Sequence, residues 1–456
     1  MNQEERISHV LSGHKALFFI PRFLQEHPEV NLYLVGGAIR DALLGRRMRE
    51  VDFDFVIAGL ASPQLESWFR ANGELNLVGQ HFGVYKFMPH GCTPEETTFI
   101  DIALPRTEAV AQGSLGGYKD FTIQSDPNLP IEEDLARRDF TINAMAFDVR
   151  TQKLIDPFNG QMDLAQKTIR AVGDPTQRFT EDLSRILRGI RFASELDFVI
   201  EEETSQAIKL LIPKLNLQKE VEGKLEYVVP RETVGMELAK ALSRNPARAI
   251  KELEIHRAIQ ELFPEIHKKI EQAPRYLAPL QETIPGELTV VLTLLLRHLS
   301  LEEVRKALSF TGLDTLARGS SQRTEAQIVT TLIQLLKEDT DPTSVNRMRA
   351  SEFEKRYFNG KGLLFLRCLG VLEQTDLKRS IETRRKQIEA RWLVDHDESI
   401  APLLSGQDVL AKGVPAGPDV RMWLEQVRDL QLDGKLMRRE DALAWLEQQL
   451  KQKSPN

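Results

Sequence analysis

The sequence predicts an α+β protein, a mixed sheet with helices over residues 1–160 followed by helical domains in series. Two patterns carry that expectation. Before residue 160, short runs of β-branched and aromatic residues alternate with polar positions, the period of half-buried strands. From about Leu164 onward the chain turns to amphipathic stretches rich in Leu, Glu, Lys and Arg, punctuated by Pro175, Pro230, Pro246, Pro264, Pro279 and Pro342. The length of 456 residues suits about three domains of roughly 150 residues each. Periodicity breaks near Gln161, Pro264, 338–342 and 395–400, and the expected segments are 1–160, 161–265, 266–395 and 396–456.

Strands are expected at 33–35, 51–57, 75–78, 83–88, 98–103 and 144–149. The most informative stretch is LVGGAIRDALLGRRMREVDFDFVI, residues 34–57. Side chains alternate across a strand, so Asp52 and Asp54 share one face while Phe53, Phe55 and Ile57 take the other. Two carboxylates side by side repel each other without a cation, and magnesium (Mg2+), a hard ion that takes one or two protein carboxylates, suits the pair. A lone Asp-x-Asp equally suits a turn cap beside a solvated acid. Upstream, Gly36 and Gly37 close the apolar run Leu32, Leu34, Val35 and precede Arg40 and Asp41. A glycine pair at a strand end lets backbone N–H groups approach a phosphate, and the start of a helix adds a favourable dipole. Arg40 would hold the phosphate and Asp41 would hold Arg40; a tight turn with a local ion pair is the plainer alternative. Neither G-x-x-x-x-G-K-[ST] nor G-x-G-x-x-G occurs here, so the P-loop and Rossmann solutions are not in play.

The block ARRDFTINAMAFD, residues 136–148, sets Arg137 and Arg138 ahead of Asp139. A guanidinium offers a planar, permanently charged fork to phosphate or ribose, although a helix start capped by Asp139 would use the same letters. Asp101, in the run FIDIAL, is a further acid able to complete or orient a metal site. RFTEDLSRILRGIRFA, residues 178–193, has helical periodicity: Leu183, Ile186, Leu187 and Ile190 form a stripe, with Asp182, Arg185, Arg188 and Arg191 across the opposite side. As i, i+3 neighbours, Asp182 and Arg185 would make a surface ion pair worth about 0.2–0.5 kcal/mol. A carboxylate that only accepts beside a guanidinium that only donates also matches a base edge with an amino group next to a ring-nitrogen acceptor. Cytosine and adenine carry that amino group, whereas guanine and uracil present a carbonyl. Refusal by stranding buried polar groups reaches factors of about 10⁴–10⁵.

A net charge of −7 and a pI near 5.9 leave any nucleic-acid contact to local basic patches. The densest is LKRSIETRRKQIEARW, where Lys378, Arg379, Arg384, Arg385, Lys386 and Arg391 crowd one helical stretch, a pattern that also suits a solvated face. Cys92 and Cys368 are the only cysteines, which excludes a disulfide framework or a cysteine zinc site. The early acids and the proline-interrupted apolar run at 16–20 match neither a secretory signal nor a transit peptide. No stretch approaches the roughly 18 apolar residues of a membrane span. The expectation is a cytoplasmic protein with no membrane partner. His396-Asp397 matches the metal dipeptide of phosphohydrolases, but without identifiable partner ligands.

In this order, GGAIRD, DFD, RRDFTIN and EDLSR resemble the GG-x-x-RD, D-x-D, RRDFTIN and ED-x-x-R blocks of the class II tRNA nucleotidyltransferases, or CCA-adding enzymes, and of the related bacterial poly(A) polymerases. The resemblance is strong over about 30–200; residues 244–265 are similar to the family's helical neck, and residues 402–420 to the C-terminal region of some bacterial members. It implies a polymerase-β-like nucleotidyltransferase head at 1–160, a base-reading and RNA-binding neck at 161–265, a body at 266–395 and a tRNA-contacting tail at 396–456. It implies further that Asp52 and Asp54 hold catalytic magnesium, that Gly36, Gly37 and Arg40 lie on the incoming nucleotide and that Arg138 meets its sugar or phosphates. Asp182 and Arg185 would read the base, with Arg188 and Arg191 supporting nucleotide binding. The implied reaction is attack of a tRNA 3′-hydroxyl on the α-phosphorus of CTP or ATP, releasing pyrophosphate. Leu183-Ser184 departs from the residues usual inside the ED-x-x-R block. Residues 106–130, with Arg106, Glu108, Lys119 and Asp120, resemble the mobile loop of members that add the terminal A, which argues against a CC-only enzyme and leaves A-only and poly(A) addition open. Outside the family, a D-x-D glycosyltransferase would give no reason for GGAIRD or EDLSR, and a silent RNA-binding module would not need Asp52 and Asp54.

Overall fold

The N-terminal sheet grows from runs that satisfy strand alternation: β1 Asn31–Val35, β2 Asp54–Ala58, β3 Gly73–Val78, β4 Val84–Pro89, β5 Ile100–Ala103, β6 Arg106–Val110, β7 Phe121–Ser125, β8 Ala146–Asp148 and β9 Lys153–Ile155. Seven of them form one sheet in the order β3-β4-β5-β2-β1-β8-β9, antiparallel except for the parallel pair β2–β5. The computed structural model describes residues 2–46, 53–78, 84–93, 99–110, 114–117, 121–273, 275–316, 325–357, 360–395 and 401–453. By contact the chain divides into two units, residues 1–267 with 309–313, and residues 268–308 with 314–456. The α+β head and helical remainder predicted from the sequence are the architecture observed. Val51, Asp52, Gly83 and Thr98, expected at strand starts, lie outside the described residues.

Both faces of the head sheet are covered, which makes its middle strands rigid. Phe53, Phe55 and Ile57 are at most 1% exposed, and Phe53 meets His14 edge-on at 5.0 Å. On the other face Val35, Val56 and Ala146 pack against Ile131, Leu135, Ala144 and Val172. That packing seats the helix Ile131–Ala136 on the face that carries Asp54, so the arginines that follow it arrive at the same end of the sheet.

Three departures from the sequence reading concern local geometry. The expected loop at 106–130 contains the hairpin β6–β7, with Arg106 opposite Ser125. In the stretch expected to be helical, β10 Thr168–Ile169 pairs with β11 Val199–Ile200, and β12 Gln218–Val221 with β13 Lys224–Tyr227. The latter ribbon turns on Glu222 and Gly223 with φ of +51° and +77°, the two positive values of a type I′ hairpin. The helical pattern at 178–193 is also broken: one helix, Pro175–Glu181, ends before Asp182, and the next, Ser184–Leu196, begins after Leu183. Asp182 is extended (φ −142°, ψ 103°) and its carboxylate accepts the Ser184 N–H, a side-chain bond that competes with helix continuation.

Every secondary-structure element among the second unit's described residues is a helix. Its apolar helix Leu288–Leu296 is buried along its length and packs against Glu325–Glu338 and Gly360–Val371. Further along, Trp423, Val427 and Leu446 close a separate cluster with Leu404, Val409 and Val414. His396 and Asp397 lie outside the described residues.

Candidate active site

Gly36 ends β1 at φ +74°, ψ −140°, a conformation suited to glycine, and Gly37 opens the helix Gly37–Leu43. The space where a Gly36 Cβ would stand is bounded by Asp54 Oδ2 at 3.2 Å and Arg138 Nη1 at 3.3 Å, so the glycine turn, the Asp-x-Asp strand and the RRD block converge there. The parallel register sets Asp101 directly beside Asp54 on the neighbouring strand. Asp101 also takes a 2.6 Å bond from Lys86 Nζ. Asp52 lies outside the described residues, and among those described no group of three or more His, Cys, Asp or Glu is arranged around a metal position. The donors that are described at this strand end are hard carboxylate oxygens, which fit a divalent ion such as magnesium and not a thiolate-seeking one.

Arg40 is fixed by three hydrogen bonds: Nε and Nη2 donate to the Asp41 carboxylate at 3.0 and 2.9 Å, and Nη1 donates to Asn143 Oδ1 at 2.9 Å. Asp41 therefore holds Arg40 as the sequence suggested, and Asn143, the last residue of RRDFTIN, joins that block to GGAIRD. At the centre of the RRD block lies Asp134, whose side chain is 1% exposed. Its Oδ1 accepts from Arg137 Nε and Nη2 at 3.0 and 2.8 Å, and its Oδ2 lies 3.3 Å from Arg138 Nη2. Burial pushes its carboxyl up, but the guanidiniums of Arg138 and Arg137 outweigh burial and hold it below the usual carboxylate range. Arg137 and Arg138 thus follow a helix end, not a start capped by Asp139.

The EDLSR block does not fan its charges over an open face. Arg185 is 8% exposed; its Nη1 donates to Arg178 O and Glu181 Oε2, and its Nη2 to Arg137 O, each at 3.2 Å. Asp182 Oδ2 lies 4.0 Å from Arg185 Nε, and burial pushes the Asp182 carboxyl up, only partly offset by Ser184 and the nearby guanidiniums. Arg188 donates to Asp139 Oδ2 through Nε at 2.7 Å, and the Asp139 carboxylate raises the Arg188 pKa. Arg191 turns away to Glu237 at 2.5 Å and Glu195 at 2.9 Å. Beside Asp182 sits Gly116 at φ +92°: its carbonyl accepts the Leu183 N–H at 3.0 Å, and a Cβ would stand 2.8 Å from both Leu183 Cγ and Thr180 O. Lys119 and Asp120 of the same hairpin loop lie outside the described residues. Asp134, Asn143, Phe192 and Glu237 escaped the sequence reading. Only Asp134, three and four residues before Arg137 and Arg138, offered a local signal.

The motifs converge in an α+β head that precedes helical domains. Residues 32–170 match the family described as the Poly A polymerase head domain. A "Multifunctional CCA protein" from Stenotrophomonas maltophilia (strain K279a) is 39% identical over 241 residues, 52% of each chain. The chain thus spans about half the length of the curated relatives it matches. The Bacillus stearothermophilus CCA-adding enzyme in complex with CTP superimposes with a TM-score of 0.63 at 23% identity, over 96% of this chain and 98% of that one. The Thermotoga maritima CCA-adding enzyme complexed with tRNA gives 0.53 at 22% identity, over 97% and 98%. The resemblance to the tRNA nucleotidyltransferase and poly(A) polymerase family is borne out, and the fold is that of CCA-adding enzymes.

Proposed function

We propose that the protein adds C and A from CTP and ATP to the 3′ end of tRNA without a template. The observation that carries this reading is the convergence at one sheet end of Gly36, Asp54 and Arg138, linked through Arg137 and Asp139 to Arg185 and Arg188. Asp54, with Asp52, would hold magnesium. In the two-metal scheme, one ion held there would lower the pKa of the attacking hydroxyl and a second would stabilise the leaving oxygen. Arg40 and Arg138 would take the triphosphate, a role for which charged forks already fixed by Asp41 and Asp134 are preorganised. Asp182 would accept from the amino group of cytosine or adenine and Arg185 would donate to the ring nitrogen, with Arg188 and Arg191 holding the surrounding helix. The 3′-oxygen then bonds to the α-phosphorus, and the α–β anhydride breaks to release pyrophosphate.

The division into head (1–160), neck (161–265), body (266–395) and tail (396–456) belongs to this reading, as does a cytoplasmic location. No described helix is long and apolar enough to cross a membrane. The match to a Poly A polymerase head keeps A-only and poly(A) addition as the second reading. Purified protein given magnesium, CTP and ATP, singly and together, on tRNA ending before CCA, on tRNA ending after CC and on an unstructured RNA decides between them. CC followed by A is the expected product; A only after CC, or long A tails on unstructured RNA, would move the protein to the second reading. No incorporation on any RNA would contradict both.

A further inference from the structure

We propose that Phe192 is a positioning residue whose ring holds Arg40, Arg188 and Arg191 in one arrangement and thereby governs how tightly the site holds a nucleoside triphosphate. The inference rests on the nucleotidyl-transfer reading above. Phe192 is 5% exposed, and three guanidinium carbons surround its ring, at 4.1 Å from the centroid for Arg191, 5.3 Å for Arg40 and 5.4 Å for Arg188. All three lie within the roughly 6 Å over which an aromatic ring attracts a cation.

Like charges this close repel, and each is held from outside by a carboxylate on a different part of the head. Asp41 takes Arg40, Asp139 takes Arg188, and Glu237, on the helix Arg231–Arg244, takes Arg191 together with Glu195. The common element on the inside is the Phe192 ring. Phe140, in the RRDFTIN block, meets that ring edge-on at 5.8 Å and 82° and fixes its orientation. Arg40 at the glycine turn and Arg188 on Asp139 are therefore coupled through a shared neutral side chain. An aliphatic residue of similar bulk would fill the volume but present no negative π face.

The test replaces the charge distribution and keeps the shape. Pentafluorophenylalanine at position 192 reverses the ring quadrupole, and Phe192→Leu removes the ring; both are expected to raise the KM and Kd for CTP and ATP about tenfold, with a smaller change in kcat. Phe192→Tyr, which keeps a π face, is expected to restore them. Nucleotide Kd and KM in the fluorinated protein equal to those of the unsubstituted protein would overturn the proposal, and would do so even if Phe192→Leu failed to fold. Absence of incorporation by the unsubstituted protein would instead remove the underlying reading, and the inference with it.

Discussion

Asp134, buried, and Asp182, half-buried, both stand beside arginines, yet their environments act in opposite directions. For Asp134, burial pushes the carboxyl up but the Arg138 and Arg137 guanidiniums prevail, and for Asp139 burial is likewise outweighed by Arg188. A carboxylate lowered in the fold contributes stability that is fully present above its unfolded pKa of about 4 and lost as pH falls through the lower native value. Stability against urea should therefore fall steeply below about pH 4, and Asp139→Asn should flatten that dependence. Asp134→Ala takes the carboxylate from Arg138 and leaves Arg137 with Glu108, and should cost about 3 kcal/mol in the same measurement. Asp182 has its carboxyl raised by burial, so its ionised form is disfavoured in the fold and its ionisation opposes folding at neutral pH. Asp182→Asn, still able to cap Ser184, should leave stability unchanged or slightly higher. Its effect should appear in base choice, as should that of Arg185→Ala: relative kcat/KM for GTP and UTP against CTP and ATP should rise. Unchanged discrimination in both variants would remove the base-reading role.

At the scale of elements, the sheet was legible because its strands alternate, and the side of β2 on which Asp54 stands followed from the same period. What joins those strands was not legible. The neighbourhood of Asp54 and Asp101 comes from a parallel pairing between segments 47 residues apart, and Glu237 reaches Arg191 from 46 residues away. The helix predicted over 178–193 has the right apolar stripe, but periodicity carries no information about a break made by the Asp182 side chain and by Gly116 from a distant hairpin. The β12–β13 ribbon was missed for a different reason: Glu-Gly occupies a type I′ turn more often filled by Asn-Gly or Asp-Gly. Gly116→Ala tests the hairpin's seat. A methyl at φ +92° and 2.8 Å from Leu183 should cost about 1–3 kcal/mol if the loop stays docked. A smaller loss, read by urea unfolding, would mean that the loop yields.

Across the whole molecule, a net charge of −7 leaves any RNA contact to local patches. On the helix Thr375–Asp395, Leu377, Ile381 and Ile388 are buried, whereas Arg379 and Lys386 are exposed. Reversing both charges should weaken tRNA binding and shrink its salt dependence, by a slope of roughly 0.7–0.9 for each phosphate that is no longer neutralised. The KM for nucleotide should stay as it was. An unaltered salt slope would move the RNA-binding surface elsewhere in the chain. The central claim, however, concerns the strand end where Gly36, Asp54 and Arg138 meet. Its most direct test is nucleotide incorporation and tRNA affinity measured side by side for Asp54→Ala and the unsubstituted protein. Abolished incorporation with nearly unchanged tRNA affinity is the predicted result; retained incorporation would contradict the assignment of Asp54 to the reacting centre.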